Sequence, residues 1–376
     1  MFDILLSVAI AFTITFLAIP VIIFVAEGKK LYDVPDARKI HNAPIPSLGG
    51  LGIFAGFILS CLVMIPMAHA PEFQYFFAAA FVIFFLGLKD DILDISPIKK
   101  FIGQVLAAFL IIYKGGVQIQ SMHGFLGLQE LPPMFSLLFT YLTVIVIINS
   151  FNLIDGIDGL AGSLGLMACL AFGVYFSAID MLPYAILAFA LAGSLAAFLI
   201  FNFQPAKIFM GDTGSLLLGL LHAILVIKFI TVASTPGIAL PISAAPAVGF
   251  SVLLIPLMDT VRVFSIRISH RRSPFSPDRN HIHHLLLDKG LSHRTITLVL
   301  VAANLLFMVL TYSLRSLGCT WLMLGLFTLF FVGIGLLYFT RRRPRLFVAK
   351  TTLPKGGEAA ASKIVPLTKD AVLEQK

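Results

Sequence analysis

The stretch 149–162 reads NSFNLIDGIDGLAG and carries two carboxylates, Asp155 and Asp158, three residues apart. It lies between two apolar runs, at about 134–148 and 163–177, each long enough to cross a bilayer. Acidic residues this near a membrane are costly and indicate function by default. On a helical turn their spacing would place both carboxylates on one face. The alternative is a polar loop in which one carboxylate only caps the next helix.

A second acidic cluster reads Lys89-Asp90-Asp91-Ile92-Leu93-Asp94. Adjacent carboxylates repel each other, so they need a cation, a proton or a basic partner. A divalent metal that also binds a phosphate is one such arrangement. The alternative is a solvated helix end in which Lys89 serves as the counter-ion.

The segment 203–215 contains Phe209 and the sequence Gly-Asp-Thr-Gly-Ser, and it precedes an apolar run. Free backbone N–H groups at such a helix start suit a phosphate. Asp212 could then hold a metal that the phosphate also binds. An N-cap role for Asp212 or Thr213 explains the pattern nearly as well.

The segment 273–290 contains three of the nine histidines in a stretch of only four residues, just after Arg279. They are His281, His283 and His284. One interpretation is a zinc site with His293 as a further ligand, although no cysteine lies near. Another is an exposed loop. We favour a third, in which the histidines bind an anion or do acid–base work on a diphosphate.

The composition places these clusters in an integral membrane protein. Hydrophobic residues make up 59% of the 376 residues and charged residues only 12%, whereas soluble domains average about 25% charged residues. Apolar blocks of about 17–25 residues favour helices over barrel strands. Cys61, Cys169 and Cys319 lie far apart in or beside these blocks, as expected of small core residues.

We therefore predict an all-α fold with about eleven transmembrane helices in one domain, residues 1–345, followed by a disordered cytoplasmic tail, residues 346–376. The predicted spans are 3–25, 48–68, 72–88, 101–114, 134–149, 163–178, 183–202, 214–233, 238–258, 296–314 and 319–340.

The distribution of basic residues predicts the orientation. With eleven spans, 24 of the 27 Lys and Arg residues fall in segments on the same side, whereas Lys114 and Arg315 fall opposite and Lys228 lies in a span. The positive-inside rule puts the basic side, which also carries every polar cluster, in the cytoplasm and the N-terminus outside.

The net charge of +8 would attract anionic lipids and nucleotide phosphates. No basic stripe is interleaved with aromatic residues, which argues against nucleic-acid binding.

Four patterns in order resemble the polyprenyl-phosphate N-acetylhexosamine-1-phosphate transferases of the MraY/WecA superfamily. They are Asp90-Asp91, the Asn-x-x-Asp-Gly-x-Asp-Gly stretch from Asn152, the Phe-Met-Gly-Asp-x-Gly-Ser stretch from Phe209, and the histidine segment. The resemblance covers about residues 25–295. Within the superfamily, the sequence SPFSPDRNHIHH is similar to the WecA/TagO branch.

The resemblance implies transfer of a sugar 1-phosphate from a UDP-N-acetylhexosamine to undecaprenyl phosphate, with release of UMP, at the bacterial cytoplasmic membrane. N-acetylglucosamine is the expected sugar, and N-acetylfucosamine, N-acetylquinovosamine and the MurNAc-pentapeptide of MraY-type enzymes are the alternatives. The implied cofactor is Mg²⁺, with Mn²⁺ as a substitute. A homodimer, the downstream polymer and a one-step or two-step mechanism stay open.

The resemblance also implies roles for individual residues. Asp90 and Asp91 would orient or deprotonate the lipid phosphate, and Asp212, with Asp155, would bind the metal. The nucleotide-sugar site would be formed by Asn152, Asp155, Asp158, Phe209 stacked on uracil, Arg279, His281, His283 and His284.

Two other functions fit the sequence less well. Intramembrane aromatic prenyltransferases also use Asp-rich loops, but the Gly-Asp-Thr-Gly-Ser and histidine segments have no place in their pattern. A transporter or polyprenyl carrier would need ionisable groups near the middle of its spans, whereas the charged residues here cluster at one interface.

Overall fold

Helices form almost all of the regular structure in this computed structural model, which describes residues 1–29, 31, 45–235, 237–271 and 280–340. The α-helices in these ranges are α1 Phe2–Lys29, α2 Gly49–Met64, α3 Phe73–Leu93, α4 Pro97–Phe109, α5 Pro133–Ile154, α6 Leu160–Ala178, α7 Leu182–Asn202, α8 Gly211–Ala233, α9 Ala245–Val252, α10 Leu254–Ser269, α11 Ile282–Leu287, α12 His293–Ser313 and α13 Cys319–Phe339. Arg279 and the predicted tail 346–376 lie outside the described residues.

The all-helical membrane fold predicted from the sequence is confirmed, and each predicted span contains a helix. In the described ranges, seven helices are long and apolar enough to cross a membrane, or eight if α9 and α10 form one broken span. The count of eleven is not confirmed, because three predicted spans are not among these helices: α2 has only 16 residues, α4 only 13, and α3, with 21 residues, does not qualify either. The orientation stays a prediction.

Helix α8 is the centre of the bundle and packs against α2, α3, α5, α6 and α9. Glycines permit this close packing, as is common between membrane helices. A Cβ on Gly50 of α2 would lie 2.1 Å from the backbone nitrogen of Gly214, and a Cβ on Gly219 would lie 2.4 Å from Cα of Ile148. The N-terminus of α8, which carries Asp212, is therefore held closely by its neighbours.

The predicted span 238–258 differs from the structure, because the chain bends by 83° between α9 and α10. A bend frees backbone groups, which must find other partners at membrane depth. Asn304 of α12, fully buried, supplies them: its Oδ1 accepts from Ile255 N at 2.9 Å, and its Nδ2 donates to the carbonyls of Ser251 and Val252 at 3.2 and 3.0 Å. The break lets α10 approach α5 beside the acidic clusters.

Candidate active site

Lys100 joins two of the predicted carboxylates. Its ammonium group forms ion pairs with Asp90 at the end of α3 and with Asp212 at the start of α8. The other oxygen of Asp90 accepts from the backbone N–H of Ile95 at 2.7 Å, in the turn between α3 and α4. Proline at the first position of α4 fits this sharp helix start, and places Lys100 one turn into the helix.

Asn152 ties the end of α5 to the same cluster. Its side-chain amide donates to Asp212 Oδ1 at 2.9 Å and to Ser215 Oγ at 3.0 Å. A cavity of about 110 Å³ opens beside these groups, and Lys100, Asn152, Phe101 of α4 and Phe264 of α10 all line it. The lining of this cavity therefore combines polar side chains with two aromatic rings.

Asp91 has a different environment from Asp90, because both of its oxygens bind the first turn of α8. Oδ1 accepts from Asp212 N at 2.7 Å, and Oδ2 accepts from Thr213 N at 3.0 Å and from the Thr213 hydroxyl at 2.5 Å. The expectation that these N–H groups are free for a phosphate is therefore wrong. Asp91 caps α8 from another helix, while the carboxylate of Asp212 bonds to Lys100 and Asn152.

Asp155 lies just past the end of α5, among other carboxylates. Burial, and then the nearby charges of Asp212, Asp91 and Asp158, raise the pKa of Asp155 to about 8. Its ionised form is thus unfavourable unless a cation approaches. Hard oxygen ligands with excess negative charge suit Mg²⁺.

Asp158 points elsewhere, although it follows Asp155 by three residues. Residues 155–159 form a bend and a turn, so the helical face that would bring the two carboxylates together does not exist. Asp158 is buried, pairs with His293 Nδ1 at 3.1 Å and accepts from Ala206 N at 3.2 Å. It links the α5–α6 turn to the start of α12 and to the segment before α8.

The histidine segment covers the other side of the α5–α6 turn. His281 Nδ1 lies 2.8 Å from Oδ2 of Asp259 on α10. The ring of His283 packs on Gly156, where a Cβ would lie 2.7 Å from Nε2. Burial, and then the neighbouring histidines, lower the pKa of His283 to about 3. Its imidazole is therefore neutral at physiological pH.

The donor set fits Mg²⁺ better than a closed metal site. Among the described residues, no three His, Cys, Asp or Glu side chains are grouped to hold a metal ion. Mg²⁺ in phosphate-binding sites commonly uses one or two carboxylates and completes its shell with water and phosphate oxygens. Asp212 and Asp155 could supply those carboxylates.

Comparison with known proteins identifies the family to which the chain belongs. Residues 73–230, from α3 to α8, match glycosyl transferase family 4. The chain is similar to the undecaprenyl-phosphate alpha-N-acetylglucosaminyl 1-phosphate transferase of Yersinia pestis, at 34% identity over 81% of this chain and 83% of the relative. It is also similar to the Haemophilus influenzae transferase of that name, at 34% identity over 88% of this chain and 93% of the relative.

A probable undecaprenyl-phosphate N-acetylglucosaminyl 1-phosphate transferase of Bacillus subtilis is 31% identical over 88% of this chain and 90% of that protein. The chain belongs to glycosyl transferase family 4. The resemblance to the MraY/WecA superfamily is thereby confirmed, and a multi-pass membrane protein follows from it.

Within this family 4 chain, the structure joins Asp90 and Asp212 through Lys100, adds Asn152, and places Asp155 near them. Phe209 is partly buried, and its carbonyl accepts from Gly49 N at 2.8 Å, at the start of α2. The substrate roles assigned to Phe209, His281, His283 and His284 stay predictions.

Sequence analysis missed two groups at this site. Lys100 entered only as one of the basic residues that set the orientation, although its position six residues after Asp94 in a helix start was a signal. Asp259 and Arg262, both buried and ion-paired at 2.8 Å, fell at the predicted end of a span. Charged residues at the end of a membrane span indicate a functional site as strongly as charged residues in a loop do.

Proposed function

We propose that this protein transfers N-acetylglucosamine 1-phosphate from UDP-N-acetylglucosamine to undecaprenyl phosphate in the bacterial cytoplasmic membrane. The named activity of relatives that span more than four fifths of the chain supports the substrates. The observation that carries the proposal is the Asp90–Lys100–Asp212 cluster beside a cavity at the ends of four helices.

The chemistry requires two anions to meet. An oxygen of the lipid phosphate forms a bond to the β-phosphorus of the UDP-sugar. The bond from that phosphorus to the bridging oxygen breaks, and UMP leaves with this oxygen. The products are the lipid diphosphate-linked sugar and UMP, so atoms and charge balance.

Residues of the chain would offset the repulsion between the anions. Lys100 supplies a positive charge between Asp90 and Asp212, where a phosphate oxygen can replace one carboxylate. Asp212 and Asp155 would hold Mg²⁺, which when bound neutralises charge on the diphosphate and on the transferring phosphoryl group. Asn152 fixes the direction of the Asp212 carboxylate.

The lipid substrate also needs access from the bilayer. Phe101 and Phe264 line the cavity beside Lys100, and Ile98 and Ile102 of α4 are exposed on the surface of the bundle. An isoprenoid chain could lie against this apolar face while its phosphate reaches Lys100. The site would then lie at the cytoplasmic interface, where a soluble nucleotide sugar also has access.

The test is UMP release by the purified, detergent-solubilised protein with Mg²⁺ and undecaprenyl phosphate. A panel of UDP-N-acetylglucosamine, UDP-N-acetylquinovosamine, UDP-N-acetylfucosamine and UDP-MurNAc-pentapeptide identifies the donor. We expect UMP with UDP-N-acetylglucosamine, dependence on the lipid, and loss of activity with EDTA that Mg²⁺ restores. Release with the MurNAc donor alone would favour the MraY-type activity, and no release with any donor would refute sugar-phosphate transfer.

A further inference from the structure

Asp259 is a buried carboxylate of α10 that binds three partners in two parts of the chain. Its side chain is 1% exposed. Oδ1 accepts from Arg262 Nη2 at 2.8 Å and from Ile282 N at 3.0 Å, and Oδ2 lies 2.8 Å from His281 Nδ1. Arg262 also donates to the carbonyl of Asn280. Asp259 therefore connects α10 to the residues that begin the short helix α11.

These contacts decide which nitrogen of His281 carries the proton. His281 Nε2 faces Arg267 Nη2 at 3.4 Å. A guanidinium group can only donate hydrogen bonds, so Nε2 must accept. Nδ1 then carries the hydrogen and donates it to Asp259. The carboxylate thus selects one tautomer of His281, and this tautomer presents an acceptor to Arg267.

The same contacts determine where the rest of the histidine segment lies. Asp259 holds Ile282 N, and His283 follows directly on α11. His283 is 2% exposed, and its Nδ1 has no hydrogen-bond partner in the part of the chain that is described. Its ring lies against Gly156, beside Asp155. The ring atom of His283 that lies nearest Gly156 is Nε2, so this nitrogen faces the α5–α6 turn.

We propose that Asp259 is a positioning residue for the nucleotide-sugar site. It orients His281 and, through His281, the guanidinium of Arg267, and it holds α11 so that His283 meets the α5–α6 turn. Asp259 itself does not touch the substrate. This inference rests on the proposed function, since it assigns Arg267 and His283 to the side of the site that takes the UDP-sugar.

The variant Asp259→Asn tests the link while keeping the shape of the side chain. If the amide oxygen keeps Arg262 and Ile282, the amide nitrogen must face His281 Nδ1. His281 then changes tautomer and presents an N–H to Arg267, so two donors oppose each other. We expect KM for UDP-N-acetylglucosamine to rise about tenfold or more, with a smaller change in kcat and an unchanged KM for undecaprenyl phosphate.

The matched control is Ser265→Ala on the same helix. Ser265 is exposed, and among the described residues its hydroxyl bonds only to the Val261 carbonyl one turn earlier. If wild type and this control release no UMP, the proposed function fails. If they are active and Asp259→Asn has the same KM for UDP-N-acetylglucosamine as the control, the inference about Asp259 is wrong.

A double-mutant cycle with His281→Gln tests whether Asp259 acts through His281. Coupled residues give non-additive effects, so the double variant should have a KM no higher than the worse single variant. Fully additive effects would overturn the proposed route.

If Asp259→Asn does not fold, Asp259→Glu replaces it: the charge beside Arg262 stays, but the longer side chain displaces the carboxylate from His281 Nδ1. An unchanged KM in that folded variant would equally refute the inference.

Discussion

The carboxylates of the site have the same chemistry in the sequence but distinct partners in the structure. Asp90 and Asp212 share Lys100, and Asp91 binds the backbone of α8. The adjacent pair Asp90-Asp91 predicted a charged site with a cation, and Lys100 supplies one. The sequence alone could not predict that Asp91 binds backbone groups more than a hundred residues away, because that contact depends on how α3 packs against α8.

At this scale we predict that Asp91→Ala and Asp212→Asn differ in stability. Asp91→Ala leaves the N–H groups of Asp212 and Thr213 without their acceptor, which should cost about 1–3 kcal/mol of folding stability and also reduce transfer. Asp212→Asn leaves the cap intact and should lower the transfer rate about 100-fold or more with little change in Tm. Thermal unfolding of the solubilised protein and UMP release measure the two effects.

The control for this comparison is Asp94→Asn, an exposed carboxylate in the same turn region. It should retain both Tm and turnover. If Asp212→Asn keeps near-normal turnover at limiting Mg²⁺, the metal role of Asp212 is wrong. An equal loss of Tm in Asp91→Ala and Asp212→Asn would refute the separate role of Asp91.

At the scale of elements, hydropathy located the helices but not the break in the ninth predicted span. The residues around Leu253 are apolar on both sides, so the sequence there reads as one continuous span. The break depends on Asn304, which lies about fifty residues later in α12 and satisfies the freed backbone groups. Two signals were available in the sequence: Pro256, three residues after Leu253, and a single amide within the apolar run of α12.

We predict that Asn304→Leu, which is similar in size, destabilises the protein by about 1–3 kcal/mol, because Ser251 O, Val252 O and Ile255 N lose their partners. Transfer should fall as well, since α10 carries Asp259 and lines the cavity with Phe264.

Thr311→Val is the matched control for Asn304→Leu on α12. Its side chain is also buried, and within the described ranges its hydroxyl bonds only to the Phe307 carbonyl of its own helix. Thermal unfolding and UMP release are measured for both variants. Equal Tm and equal activity in Asn304→Leu and Thr311→Val would show that Asn304 does not stabilise the bend between α9 and α10.

At the scale of the whole molecule, the sequence anticipated that the polar clusters meet. They fall on alternate loops of the predicted topology, which lie on the same side of a membrane, and the structure joins them by direct contacts. The sequence did not predict which side chains of different loops would contact each other, such as Asp158 and His293. Those contacts depend on how the helices are arranged around α8. The direction of the bundle in the membrane rests on the basic residues alone.

The last prediction is that the N-terminus lies outside and the active site lies in the cytoplasm. In the predicted eleven-span topology, 24 of the 27 Lys and Arg residues fall on the side of the site, and moving such a bias across the membrane is strongly disfavoured. Gln120→Cys and Asp288→Cys place thiols in exposed positions at opposite ends, and the native Cys61, Cys169 and Cys319 are buried, so their labelling should be low. In intact cells an impermeant maleimide should label position 120 and spare position 288, whereas permeabilised cells should label both. Labelling of 288 with protection of 120 would reverse the orientation and put the site on the side that UDP-sugars do not reach.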